Sequence, residues 1–96
     1  MILDAGSKTL SEAGPPAGRP GFGSLPDHPE VEIIRLNEEH ATCVLGEADG
    51  RFAVGDTVRV VPNHVCTCVN LHDRVIAVRA GRVEEVWAVA ARGLVR

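Results

Sequence analysis

The feature that most constrains the fold is a stretch between Ala13 and Pro29 that is crowded with proline and glycine. The residues concerned are Gly14, Pro15, Pro16, Gly18, Pro20, Gly21, Gly23, Pro26 and Pro29. Proline lacks an amide hydrogen and glycine weakens regular elements, so helices and strands are excluded there. We therefore expect a long loop over residues 13–30, between an N-terminal strand and turn (residues 1–12) and a β domain (residues 31–96).

Residues beyond the loop follow the pattern of short strands. The predicted strands are rich in β-branched residues and cover residues 31–36, 41–45 and 57–61. Pro62 ends the third strand, because proline cannot donate to a sheet ladder.

A second β-patterned region lies near the end of the chain. The runs 74–79 and 82–89 flank Ala80-Gly81, which predicts a β-hairpin with a two-residue turn. The segment between Asn63 and Asp73 is open to two interpretations: a short helical turn capped by Asn63, or a strand over residues 66–71. Together these patterns predict a mainly β fold, a small antiparallel sheet that is bent or rolled toward a barrel.

Composition narrows the function classes. Hydrophobic residues make up 45% of the 96 residues, with two Phe, one Trp and no Tyr, so the core must be aliphatic. A chain of this size buries only about two-thirds of its unfolded surface, so packing against a partner domain would help. The net charge of −3, without a cluster of Lys and Arg, argues against nucleic acid as a partner.

The chain also lacks the marks of a membrane or exported protein. No apolar run approaches the roughly 20 residues that a membrane helix needs. Met1-Ile2-Leu3 is followed directly by Asp4, so we expect no signal peptide and a cytoplasmic location.

Lys8 is the only lysine in the chain. An enzyme that forms a Schiff base needs a lysine in a cleft that also binds the cofactor phosphate, and this chain has no glycine-rich phosphate loop between a strand and a helix. We expect that the chain does not hold all of the chemistry it serves.

His64 and Cys66 form the strongest candidate for a metal site. In an extended backbone, residues two apart point to the same face, so an imidazole nitrogen and a thiolate would converge on one point. Zinc accepts that pair of donors. Cys68, His72 and Asp73 could join them in a closed structural site, whereas two ligands alone would leave the open positions of a catalytic metal. A hydrogen-bonded structural histidine is the alternative.

The remaining polar clusters and cysteines have less specific interpretations. Glu38-Glu39-His40 could support proton transfer or orient a metal ligand, but a solvated turn explains this cluster somewhat better. Asn70-Leu71-His72-Asp73 has the same standing, as a polar turn or as support for the metal ligands. Cys43 lies in the apolar run Ala41–Leu45 and is expected to be a buried apolar residue.

An ordered set of motifs gives a more specific indication. The set resembles the C-terminal domain of the D-serine dehydratase and D-threonine aldolase family, and the resemblance covers nearly the whole chain. The motifs are Asp4-Ala5-Gly6-Ser7-Lys8-Thr9-Leu10-Ser11, Leu36-Asn37-Glu38-Glu39-His40, Val54-Gly55-Asp56-Thr57-Val58, Pro62-Asn63-His64-Val65-Cys66, Val69-Asn70-Leu71-His72-Asp73 and the final hairpin ending near Gly93.

The resemblance implies a role inside a larger enzyme. Members of this family are fold-type III pyridoxal-phosphate enzymes, in which an alanine-racemase-like barrel is followed by this β domain. The barrel carries the Schiff-base lysine and the phosphate site, and the β domain carries a divalent metal beside the cofactor. Because the barrel is missing here, we expect a domain fragment or a truncated relative that is inactive alone. The partner would be a pyridoxal-phosphate-binding barrel, in an enzyme that is a homodimer.

The resemblance also implies the site residues and the reaction. Dehydratase members bind zinc through a pair that maps onto His64 and Cys66, whereas aldolase members usually have Asp at the second position and use manganese or a similar ion. Cys66 therefore favours dehydration of D-serine, with the D-threonine-aldolase reaction as the alternative. Cys68 stands where the family has Thr or another small residue. A third possibility is a non-catalytic β module with a structural zinc on His64, Cys66, Cys68 and His72.

Overall fold

The computed structural model describes residues 1–15 and 20–94. The N-terminal part of the chain contributes to a three-stranded antiparallel sheet. Its strands are β1 (Ile2–Leu3), β2 (Glu32–Leu36) and β3 (Ala41–Val44), arranged in the order β1-β3-β2. The pairing of β2 with β3 shifts register between Ile33 and Arg35, so Ile34 is an extra residue in β2. The strands predicted over residues 31–36 and 41–45 are confirmed, with ends that differ by one residue.

The inner face of this sheet holds the core. Ile33 on β2 faces Cys43 on β3, and Leu36 faces Ala41, so these four residues lie on one side of the sheet. Among the residues that the structure describes, the buried apolar ones are Leu10, Leu25, Val31, Ile33, Ala41, Cys43 and Ala48. None of them is aromatic, which confirms the aliphatic core that the composition predicts.

The chain enters the sheet through β1 and a short helix, α1 (Ser7–Leu10). The amides of Ser7 and Lys8 donate to the carbonyl oxygens of Asn37 and Glu38, at 2.8 and 3.1 Å. Gly6 lies directly against this turn: a Cβ there would overlap the carbonyl oxygen of Asn37. The N-terminal residues are therefore locked onto the turn between β2 and β3.

The proline- and glycine-rich segment is irregular wherever the structure describes it. Residues 16–19 of the predicted loop lie outside the described residues; the described parts contain no helix and only one isolated bridge, between Ser24 and Val61. The loop nevertheless contributes Leu25, which is 1% exposed, to the core. The loop therefore packs against the domain.

The prediction of a third strand over residues 57–61 is wrong. Only Val61 makes a bridge, and residues 57–60 have no strand assignment. A strand needs a continuous partner, but Val61 faces the loop, where Gly23 has a φ of 142° and Pro26 has no amide to donate. Alternation alone could not reveal that its neighbour was unable to form a ladder.

Two further elements follow, α2 (Cys66–Leu71) and the predicted hairpin, formed by β4 (Arg74–Arg79) and β5 (Arg82–Ala88). A short 3-10 helix covers Gly46–Ala48, between β3 and α2. The hairpin turn has positive φ at both Ala80 and Gly81, 49° and 74°, as a two-residue turn between twisted strands requires. The mainly β prediction with small antiparallel sheets is confirmed.

The hairpin exposes much of its apolar surface. Val78 pairs with Val83 and Ile76 with Val86, which places these four residues on one face. Each of them is more than half exposed. Trp87 lies on the opposite face and is 53% exposed. The hairpin therefore adds little to the core of this chain.

The two isoleucines of β2 provide a direct test of where the core lies. Ile33 is 0% exposed and Ile34 is 46% exposed. Ile33→Ala should lower the free energy of unfolding by about 2–5 kcal/mol, because it leaves a cavity in the core. Ile34→Ala is the matched control and should cost less than about 1 kcal/mol. Urea denaturation measures both, and equal losses would contradict this placement of the core.

An exposed ion pair joins the loop to the segment before α2. The Nε of Arg59 donates to Oδ2 of Asp27 at 2.7 Å, and a second guanidinium nitrogen donates to Oδ1. This hydrogen-bonded guanidinium lowers the pKa of the Asp27 carboxyl below its ordinary value of 3.8. The pair therefore holds the loop most strongly when Asp27 is ionised.

Acid should weaken this pair in a defined direction. Because the pKa of Asp27 is lowered in the folded state, its stabilisation is present above the ordinary value and is lost as the pH falls through the lowered pKa. Asp27→Asn should therefore reduce the decline of the thermal unfolding midpoint on acidification, as measured by circular dichroism. Arg59→Gln removes the cause of the shift and should flatten the acid limb equally. A decline as steep as that of the wild type in both variants would contradict the assignment.

Candidate metal centre

The candidate pair lies where the irregular segment enters α2. Val61 forms its bridge to Ser24, Pro62 and Asn63 follow, and α2 begins at Cys66. Val65 has helical backbone angles (φ −91°, ψ −16°). The extended geometry that would place His64 and Cys66 on one strand face is therefore not what the structure shows. The local sequence forms a helical corner, which is the first of the two interpretations left open above for residues 63–73.

Both candidate donors face solvent at this corner. His64 and Cys66 are exposed, as is Val65 between them. The corner therefore carries an exposed imidazole and an exposed thiol that are one residue apart in the sequence.

The other proposed donors do not gather around this pair. Cys68 is two residues beyond Cys66 in a helix, so the two side chains point about 200° apart around the axis. His72 lies at the C-terminal end of α2, and Asp73 forms a 2.6 Å ion pair with Arg92. Within residues 1–15 and 20–94, no three His, Cys, Asp or Glu side chains are grouped so that they could hold a metal.

Two side chains tie this corner to distant parts of the chain. The amide nitrogen of the Asn63 side chain donates to the carbonyl oxygens of Gly21 and Ala13, at 2.9 and 3.4 Å. The hydroxyl of Thr67 donates to the carbonyl oxygen of Thr9 at 2.9 Å. The cap by Asn63 that the helical alternative includes is wrong, because α2 has no side-chain cap and Asn63 reaches other parts of the chain, and no local pattern marks Thr67.

The Glu38-Glu39-His40 cluster is an exposed, ion-paired turn. Nζ of Lys8 lies 2.9 Å from a carboxylate oxygen of Glu39 and 3.2 Å from one of Glu38. Hydrogen bonds to these carboxylates raise the pKa of Lys8, and Lys8 in turn lowers the pKa of Glu39. A Schiff-base lysine needs a neutral amine, so this environment is opposite to the one that such chemistry requires.

Cys43 is set apart from the other thiols by burial. It is 5% exposed in the core, and burial raises the pKa of its thiol. Since metals and electrophiles bind the thiolate, Cys43 is a packing residue, as the sequence predicts. Cys66, by contrast, is an exposed free cysteine.

The two side chains at the corner are of types that bind zinc. Imidazole and thiolate are both ordinary zinc ligands, and two of them leave positions for other groups. A closed four-ligand site does not fit, because Cys68 points away from Cys66. His64 and Cys66 are therefore two exposed donors of the types that zinc accepts, separated by one residue with a helical backbone.

Comparison with known proteins places this domain in a family. Residues 1–78 match the family described as "Putative serine dehydratase domain". The chain belongs to this family of serine dehydratase domains. The matched region includes the corner and extends to Val78 on β4. The resemblance seen in the sequence motifs is thereby confirmed.

The related proteins fall into two groups by length. An uncharacterized protein of Mycobacterium tuberculosis is 45% identical over 93 residues, which cover 97% of this chain and 69% of that protein. D-threonine aldolase of an Arthrobacter species is 38% identical over 99 residues, and 3-hydroxy-D-aspartate aldolase of Paracoccus denitrificans is 37% identical over 92 residues. The matches cover 100% and 96% of this chain but only 24% and 22% of the aldolases.

A solved structure shows the same fold. The crystal structure of D-threonine aldolase from Filomicrobium marinum matches with a TM-score of 0.74 and 36% sequence identity, covering 99% of this chain and 24% of the aldolase chain. In these aldolases the serine dehydratase domain is thus a small part of a larger protein. Among the described residues, no helix is long and apolar enough to cross a membrane.

The three thiols should react in the order of their exposure. Cys66 is exposed, Cys68 is half-buried and Cys43 is buried. With a thiol-specific chromogenic reagent at pH 8, we expect fast modification of Cys66, slower modification of Cys68, and modification of Cys43 only on unfolding. Cys66→Ser should remove the fast phase alone. A fast phase that persists in Cys66→Ser would contradict the structure.

Proposed function

We propose that this chain is the metal-carrying domain of a pyridoxal-phosphate-dependent lyase that acts on D-amino acids with a β-hydroxyl group, with D-serine dehydration as the reaction. The observation that carries the proposal is an exposed imidazole and thiol, His64 and Cys66, at one anchored corner of a domain that belongs to the serine dehydratase family. Cys66 supports the dehydratase branch, since the resemblance places Asp at this position in aldolases.

His64 and Cys66 would hold the metal. We propose that this metal is zinc, with manganese as the alternative. When bound, such an ion supplies a Lewis acid for the departure of a β-hydroxyl group. The two side chains leave coordination positions open, which a catalytic metal requires. Their exposure allows them to face a cofactor and a substrate held by another domain.

The remaining chemistry must come from a partner, which we propose to be a pyridoxal-phosphate-binding barrel. Lys8 is the only lysine of the chain, and its two carboxylate neighbours keep it protonated. The aldolases are about four times as long as the region matched here, which leaves room for such a barrel. The apolar hairpin face, with Ile76, Val78, Val83 and Val86 exposed, is a surface that the barrel could cover.

The same proposal includes the setting of the intact enzyme. We infer that the intact enzyme is cytoplasmic. We also infer that it is a homodimer, as the family resemblance implies. Cys43, Cys66 and Cys68 are free cysteines, which suits a reducing compartment.

The aldolase reaction is the second candidate. It is favoured by the relatives, which are named as D-threonine aldolase and 3-hydroxy-D-aspartate aldolase. The non-catalytic module with a structural zinc is less well supported, because the helical geometry separates Cys68 from Cys66. The residue at position 66 is what distinguishes the first two candidates in this chain.

A chimeric enzyme tests the proposal. This chain would replace the matching quarter of the D-threonine aldolase from Filomicrobium marinum, whose fold it shares. With zinc and pyridoxal phosphate, we expect the chimera to form pyruvate and ammonia from D-serine faster than glycine and acetaldehyde from D-threonine. The chain alone should turn over neither substrate.

Two matched variants of the chimera connect the activity to the metal. Cys66→Ala should reduce bound metal and D-serine turnover by about tenfold or more, whereas Cys68→Ala should leave both unchanged. Faster D-threonine cleavage would support the aldolase candidate instead. Unchanged metal content and turnover in Cys66→Ala would refute the role of Cys66.

A further inference from the structure

The His64–Cys66 corner is bracketed by two side chains whose hydrogen bonds cross long stretches of sequence. Asn63 precedes it and Thr67 follows it, and both donate to backbone carbonyl oxygens of the N-terminal region. We propose that Asn63 and Thr67 are positioning residues, which hold His64 and Cys66 in one orientation before any metal binds. The part of this inference that concerns metal binding rests on the proposed function, and the part that concerns the order of the corner does not.

Thr67 joins α2 to the N-terminal helix. Its hydroxyl donates to the carbonyl of Thr9 in α1, a short helix whose last carbonyls lack intrahelical partners. The bond is partly shielded from water, which strengthens it. The start of α1 is in turn fixed by its backbone bonds to Asn37 and Glu38, on the turn between β2 and β3. A continuous path of bonds therefore runs from the core sheet to the residue next to Cys66.

Asn63 closes the other side of the corner. Its amide group donates to the carbonyl oxygens of Ala13 and Gly21, which precede and follow residues 16–19 in the sequence. The amide of Phe22, next to Gly21, donates to the carbonyl of Ile33 on β2 at 3.1 Å. The residue before His64 is therefore also connected to the core sheet.

These two anchors act at the start of α2, whereas its other end is held by the amide of Gly93, which donates to the carbonyl oxygen of Asn70. The helix α2 has six residues, no side-chain cap and no fully buried residue. Helices this short are not stable in isolation, so their order must come from tertiary contacts. With only two ligands from this chain, a metal depends on both side chains being held in place.

The test uses the 96-residue chain. It compares a variant that lacks the Thr67 hydroxyl with a variant that keeps a hydroxyl at this position. Thr67→Val keeps the shape of the side chain and removes the donor, and Thr67→Ser keeps the donor. The first readout, without metal, is hydrogen exchange of the Val69 amide, which donates to Val65 and closes the first turn of α2. We expect about tenfold faster exchange in Thr67→Val, near wild-type exchange in Thr67→Ser, and no change at the Cys43 amide in the core sheet.

The second readout is the zinc dissociation constant, obtained by titration with zinc alone. It should rise about tenfold in Thr67→Val and return toward the wild-type value in Thr67→Ser. Asn63→Leu removes the amide donor at similar size without adding a charge and should raise the constant similarly. This second variant keeps the test available if Thr67→Val does not fold.

The outcomes separate the inference from the proposed function. Unchanged Val69 exchange in both anchor variants, or an equal increase at Cys43, overturns the positioning role. Wild-type zinc affinity in both variants also overturns it. If the wild-type chain binds no zinc, the proposed metal site fails, and local exchange at Val69 then decides by itself whether the anchors hold the corner.

Discussion

The antiparallel pairing of β2 with β3 is the interaction on which the rest of the domain depends. It places Ile33 opposite Cys43 on a buried face, and the other elements attach to this pair. The strand β1 extends the sheet beside β3, and α1 rests on the turn between the two strands. The loop packs Leu25 into the same core. Because these attachments converge on one small sheet, a cavity at Ile33 affects elements that are distant in sequence.

The candidate site depends on this sheet only indirectly. The corner before α2 has no fully buried residue of its own and is held through α1 and through the loop. Such a site keeps its donors accessible while its backbone is fixed elsewhere. This arrangement suits a domain that contributes two ligands to a site completed by another part of an enzyme, since the ligands must reach outward.

Environment assigns different roles to residues of the same type. Cys43 and Cys66 are both free, but burial raises the pKa of the first thiol, whereas the second is exposed. The single lysine, Lys8, is held between Glu38 and Glu39 and stabilises a turn. The type of a residue alone therefore does not show whether it is reactive or only packs in this domain. Its burial and the charges next to it show this.

The sequence by itself determined the fold class, the irregular loop, the hairpin and the family. These features depend on local properties, such as the missing amide of proline, the turn chemistry of Ala80-Gly81 and the order of the motifs. The tertiary structure alone decided that residues 57–60 form no strand, because strand formation depends on the partner. It also decided that the backbone is helical from Val65 to Leu71, which separates Cys68 from Cys66, and that Asn63 and Thr67 bond to distant carbonyl oxygens. Those contacts join residues 42 and 58 positions apart, and no local pattern encodes which distant carbonyl a side chain will reach.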